Sequence, residues 1–214
     1  ILSGLVGSEM CIRDRADLME RDARQLAELE CLNNGKSAAV AQVMDVQLAI
    51  DFLRYMAGWA TKIEGSTVEA SMPLMPNDQF HGFVRREAVG VVGAIVAWNF
   101  PLLLACWKLG PALATGCTVV LKPADETPLS VLKLAELVDE AGYPAGVFNV
   151  VTGTGLNAGA ALSRHPGVDK LTFTGSTEVG KLIGKAAMDN MTRVTLELGG
   201  LSLIHISEPT RPER

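Results

Sequence analysis

From residue 89 onward the chain alternates short apolar runs with stretches of helical period. The runs predict strands at 89–97, 118–121, 147–151, 170–174 and 193–198, and the periodic stretches predict helices at 102–115, 128–141, 157–163 and 177–188. Strand-helix alternation with short, nearly continuous apolar strands means an α/β fold with a doubly wound parallel sheet. Ahead of it, 16–32 sets Leu18, Met19, Leu26, Leu29 and Leu32 among charges, an amphipathic helix closed by Asn33-Asn34-Gly35. A longer helix follows at 40–62, its wide apolar face including Val43, Val46, Ile50, Leu53 and Trp59. Across 65–87 the helical period vanishes and Pro73 and Pro76 appear, so this stretch reads as a short extended excursion from the main domain.

Composition changes that picture little. A chain of 214 residues with 48% hydrophobic and 20% charged positions is long enough and apolar enough to bury a proper core. Gly, Pro, Asn and Lys interrupt every apolar run before the roughly 18 residues a membrane span needs, which argues against a membrane partner. The net charge of -5 is spread out, with no Lys/Arg block, which argues against nucleic acid. The 4 cysteines show no CxxC spacing and the 3 histidines lie far apart, so neither a metal site nor a disulfide framework is expected, and a reducing, cytoplasmic setting is the default.

The two ends break the pattern. Residues 5–15 (LVGSEMCIRDR) and 201–211 (LSLIHISEPTR) share no periodicity with their neighbours, and both resemble translations of the two strands of one duplex, a transposase adapter used in sequencing libraries. The expectation is therefore that 1–15 and 201–214 are not native, that 16–200 is the credible protein, and that the chain is an internal fragment.

In an open parallel sheet, ligands gather at the carboxyl ends of the strands, and that rule selects four places. After the first strand stands Trp98-Asn99, where an amide offers donors to a developing negative charge and an indole offers a flat face; an Asx turn beside a core Trp fits locally as well. After the second stands Lys122-Pro123-Ala124-Asp125, which suits ribose hydroxyls but also a merely solvated lysine. The third is Thr174-Gly175-Ser176, a glycine turn into a helix start whose free N–H groups suit a phosphate; a capping box with Glu178 is compatible with this. The fourth is Glu197, which by alternation alone is a solvent-facing strand residue. Phe100, Leu103, Leu104 and Trp107 fall at i, i+3, i+4 and i+7, a stripe that is normally core. Gly35-Lys36-Ser37 ends like a P-loop, but Glu30 stands where that motif requires glycine, so Gly35 reads as a helix C-cap.

Taken together, GVVGAIVAWNFP, ACWKLGPALATGCTVVLKPADETP, GVFNVVTGTG, KLTFTGSTEVG and RVTLELGG, in that order, resemble the NAD(P)-dependent aldehyde dehydrogenase superfamily across 16–200. The resemblance implies an incomplete Rossmann-like cofactor-binding domain, with 65–87 as the excursion used in subunit contacts and hence a homo-oligomeric parent. It puts Trp98, Gly175 and Ser176 near the cofactor phosphates, Lys122 and Asp125 near the adenosine ribose, and Gly155 and Gly159 beside the adenine. Asn99 matches the oxyanion donor and Glu197 the general base, while Phe100, Leu103, Leu104 and Trp107 match the wall of the aldehyde access tunnel. Lys108 is a motif lysine of open role.

The implied reaction oxidises an aldehyde to a carboxylic acid with NAD through a cysteine thiohemiacetal and thioester. Asp125 stands where NAD-preferring members often carry glutamate, which leaves NADP open, and Ala97 stands where many carry proline. The resemblance places the nucleophilic cysteine beyond Gly200, so a catalytically dead nucleotide-binding fragment is one alternative. An acylating, CoA-dependent semialdehyde dehydrogenase is the other.

Overall fold

The computed structural model describes residues 9–70 and 80–199. Its first layer is helical: α1 (Glu9–Arg21), α2 (Ala23–Asn34), α3 (Ala38–Val40), a π-helical stretch at Ala41–Gln47, and α4 (Leu48–Ala57). The single helix expected at 16–32 is interrupted at Asp22 (φ -98°, ψ 15°), but its hydrogen bonds run on across that residue, Asp22 N to Leu18 O and Leu26 N to Asp22 O. α2 ends as its sequence predicts, with Gly35 in the left-handed region (φ 79°) donating to Cys31 O. The helix expected at 40–62 stops at Ala57, before Gly58, and includes the π stretch that no periodicity announces.

The excursion contains an antiparallel pair, β1 (Ser66–Ala70) and β2 (Phe80–Val84), with Ser66 opposite Val84. Residues 71–79 of the expected 65–87 excursion lie outside the described residues, as do 1–8 and 200–214 of the two ends.

Beyond it the predicted alternation is present throughout: β3 (Val91–Ile95), α5 (Pro101–Ala114), β4 (Thr118–Lys122), α6 (Leu129–Glu140), β5 (Phe148–Val150), a π turn at Gly155–Gly159 leading into α7 (Ala160–Arg164), β6 (Lys170–Gly175), α8 (Thr177–Asp189) and β7 (Arg193–Leu198). The strands form one 5-stranded parallel sheet in the order β5-β4-β3-β6-β7. The chain winds outward from β3 to β5, then returns to β6 on the other side of β3. The topological switch point therefore lies between β3 and β6, where an open α/β sheet has its ligand crevice.

Two apolar layers follow from the period-2 alternation of the strands. Val92, Ala94, Val119 and Leu121 face the larger core with α1, α2, α4, α5 and α6, whereas Ile95, Leu171 and Phe173 face a smaller one with Leu162 of α7 and Ile183 and Ala187 of α8. α5 is apolar nearly all round because it is enclosed between the sheet and α4. The two helices cross closely at Gly110, where an added Cβ would lie 3.1 Å from Phe52 Cε1 and Met56 Cγ. Among the described residues no helix is long and apolar enough to cross a membrane, and no group of acidic, His and Cys side chains is arranged to hold a metal.

Candidate active site

At the switch point a cleft of about 1010 Å³ opens over the carboxyl ends of β3, β6 and β7. Each wall follows from local sequence. β3 runs out at Ile95, and the polar-aromatic turn before Pro101, which takes the first position of α5, delivers Trp98 and Asn99 to the rim. Trp98 is 60% exposed, a large apolar face left uncovered beside the cleft.

From β6 the chain enters α8 through Thr174, Gly175 and Ser176, which all line the cleft. Ser176 is the N-cap of α8, its Oγ accepting from Val179 N at 3.3 Å; Glu178 falls at the second rather than the third helical position, so the N-cap is present without the expected capping box, and the helix start borders the cleft. At Gly175 an added Cβ would fall 2.5 Å from Phe173 Cζ, so only glycine leaves the turn this close to the ring. The Thr174 hydroxyl is buried with no hydrogen-bond partner among the described residues, and it lines the cleft.

Glu197, near the end of β7, and Lys108 of α5 close the opposite side. Burial pushes the Lys108 ammonium down from its ordinary value, and the Glu197 charge partly restores it.

Of the other residues singled out from sequence, Leu104, Trp107 and Gly155 also line the cleft. Lys122 and Asp125 sit beside it as an ion pair: the nearly buried Lys122 Nζ donates to Pro123 O at 2.8 Å and to Asp125 Oδ1 at 2.5 Å, while Ala124 between them reaches the cleft. Gly159 packs on the Lys122 stem, its Cβ position 3.6 Å from Cδ, so Gly159, Lys122 and Asp125 form one group. Phe100 and Leu103 are placed elsewhere. Leu103 is in the main core, and Phe100 packs against that core with Lys36 Nζ 3.7 Å from its ring centroid.

Thr174 lines the cleft with the Gly175-Ser176 turn it is named with, whereas Phe52 is a lining residue that the sequence pattern does not single out. Phe52 comes from α4, where nothing in the pattern separates a cleft-facing from a core-facing aromatic; its ring lies 6.3 Å from that of Trp107.

None of the 4 cysteines lines this cleft. Cys106 and Cys117 are buried, and burial pushes the Cys106 thiol up to about 12, which keeps it protonated and inert.

The model of the aldehyde dehydrogenase family matches residues 9–212, nearly the whole chain. The chain belongs to the aldehyde dehydrogenase family. It is 55% identical over 198 residues to the phenylacetaldehyde dehydrogenase of Pseudomonas fluorescens, a match covering 92% of this chain and 39% of that protein. Among solved structures, the NAD+ complex of an aldehyde dehydrogenase from Bacillus cereus superposes with a TM-score of 0.85 at 49% identity, covering 91% of this chain and 38% of that one. An E. coli NADP-dependent enzyme superposes with a TM-score of 0.85 at 41% identity, over 90% of this chain and 39% of its own. The chain thus spans about two-fifths of the length of these relatives, and the parallel sheet is the Rossmann-like part of the aldehyde dehydrogenase fold.

Proposed function

We propose that this segment supplies the cofactor cleft and part of the catalytic apparatus of an enzyme that oxidises an aldehyde to a carboxylic acid with NAD(P)+. One observation carries the reading: Trp98 and Asn99 after β3, Thr174, Gly175 and Ser176 after β6, and Glu197 in β7 meet in a single cleft at the switch point of the sheet.

The residues present fit a dinucleotide. The start of α8 offers N–H groups and the Ser176 hydroxyl to a pyrophosphate, and Thr174 Oγ1 waits for a partner. The Lys122–Asp125 pair can exchange its internal contact for ribose hydroxyls, and Gly155 leaves room at the same end. A dinucleotide held there would supply the hydride acceptor. The protein's own part is electrostatic and acid–base: Asn99 donates its amide to the oxyanion formed as a thiolate adds to the aldehyde carbon, and Glu197 takes a proton from the attacking water. Trp107 and Leu104 form an apolar wall on the aldehyde side.

The thiolate itself belongs to a part of the enzyme outside these 214 residues, since no cysteine of the chain reaches the cleft. For the chain alone, no NADH forms with an aldehyde, and NAD+ binds weakly. The whole enzyme is a homo-oligomer of the cytoplasm, with the β1–β2 excursion in its subunit contacts, and its choice between NAD and NADP turns on Asp125. Residues 1–15 and 201–214 are foreign to it. In the whole enzyme, Asn99→Ala lowers turnover about 10²–10³-fold while leaving cofactor affinity within about twofold. Equal losses in turnover and affinity would make Asn99 structural and remove the reading.

A further inference from the structure

The turn that carries Asn99 is held from outside the sheet. Leu102 is the second residue of α5, so its N–H has no acceptor within the helix. It donates instead to Oε1 of Glu30, on α2, at 3.1 Å, across 72 positions of sequence. The same oxygen accepts from Ser130 Oγ in the first turn of α6 at 2.5 Å. Glu30 is completely buried, and its other oxygen has no hydrogen-bond partner among the described residues.

The end of α2 adds further contacts around this one, including Asn33 Nδ2 donating to Glu126 O at 3.2 Å. Asn34 Nδ2 donates to Asn99 O at 3.2 Å and more weakly to Trp98 O at 3.4 Å, and Asn33 Oδ1 accepts from Leu129 N at 2.7 Å at the start of α6. Lys36 Nζ, over the Phe100 ring, pairs with the buried Asp45 at 2.5 Å.

We propose that Glu30 is a positioning residue for Asn99, a buried carboxyl that closes the start of α5 from α2 and so fixes residues 98–102 at the rim of the cleft. The role deepens the reading of Asn99 as oxyanion donor and rests on it. A helix start left with an orphan N–H in the core would shift to find a partner, and a displacement of the amide by about 1 Å can cost about a hundredfold in rate.

The groups that face Glu30 determine its charge. Asp45 on the π stretch disfavours ionisation, as does burial; Lys36, the Ser130 hydroxyl and the Leu102 N–H favour it, and Cys106 on α5, itself beside Arg15 of α1, lies within reach of its field. Burial is the larger influence and pushes the carboxyl up to about 7. A neutral acid still accepts from Leu102 and Ser130, and it relieves the repulsion with Asp45.

Amide hydrogen exchange on this chain tests the clamp. In the unsubstituted chain the Leu102 N–H should be strongly protected, although no helical acceptor exists for it; exchange at the rate of a free amide would overturn the proposal without any variant. In Glu30→Leu, Leu102 should exchange about tenfold or more faster while Leu171 and Phe173 in β6 are unchanged, and Glu30→Gln, which keeps a neutral acceptor, should restore most of the protection. Loss spread equally to β6 would make Glu30 a general core residue and overturn the role.

In the whole enzyme the Leu variant should lower kcat about tenfold to a hundredfold with KM for the cofactor unchanged, and the Gln variant should recover it. A parallel fall in both parameters would count against positioning. Asn99→Ala separates the two ideas: intact turnover there would sink the oxyanion reading while the exchange result at Leu102 still reports the clamp.

Discussion

Replacing Arg15 by methionine should stabilise the chain. Arg15, on α1, is 0% exposed, and its Nε, Nη1 and Nη2 all lack hydrogen-bond partners among the described residues. The guanidinium carbon lies 5.7 Å from the centroid of the Tyr143 ring, and the Tyr143 hydroxyl is itself buried without a hydrogen-bond partner among the described residues. Burial draws the Arg15 pKa down, and burial likewise pushes the Tyr143 phenol up to about 12.

Each stranded donor costs about 1–3 kcal/mol, whereas a desolvated cation–π contact returns about 2 kcal/mol. Replacing buried charge by an apolar side chain of similar reach typically yields about 1–4 kcal/mol. For a chain of this size each kcal/mol moves Tm by about 2–4 °C, so a rise of several degrees is expected in melts followed by circular dichroism. A urea titration with an unchanged slope would assign the gain to the folded state. Arg15→Lys, which keeps the charge, should give no gain. A fall in Tm for the methionine variant would refute the reasoning, because it would mean the guanidinium is satisfied.

Two further outcomes follow from the same geometry. Because Glu30 is raised from its ordinary 4.5 to about 7, the folded chain holds a proton there that the unfolded chain releases, so its contribution is fully present below about pH 4.5 and is lost as pH rises through about 7. That amounts to about 3 kcal/mol, and Glu30→Gln should flatten the corresponding slope of stability against pH in urea titrations. Lys122→Met keeps the stem that packs on Gly159 and leaves behind Asp125, which is exposed enough to be hydrated, and the Pro123 carbonyl, which loses its buried donor; stability should fall by about 1–3 kcal/mol while NAD+ affinity in calorimetric titration falls about tenfold or more.

The sheet was legible because β3, β4 and β5 are short, largely apolar runs, β6 and β7 alternate apolar with polar residues, and each crossover has a helical period. The order of strands then places Trp98, Thr174 and Glu197 over one crevice without further information. Phase was illegible in α5. A helix apolar all round has no polar face to tell Leu104, which is in the main core and also reaches the cleft, from Leu103, which is in the core alone, so the stripe at i, i+3, i+4 and i+7 named a face that the surroundings divide. Glu30 was equally silent. On α2 it reads as one more charge in an amphipathic helix, and its partners Leu102 and Ser130 lie 72 and 100 residues away, contacts that only the tertiary packing of α2 across the starts of α5 and α6 creates.

Chemical-shift mapping of the isotope-labelled chain with NAD+ at millimolar concentration decides whether the crevice between β3 and β6 is the dinucleotide site. The expected result is a contiguous set of shifts at Trp98, the Asn99 side-chain amide, Thr174, Gly175, Ser176 and Val179, saturating together and weakened in Thr174→Val. Shifts that concentrate instead at Arg85 and Arg86 in the cleft between β2 and the end of α5, or no saturable shifts at all, would contradict it.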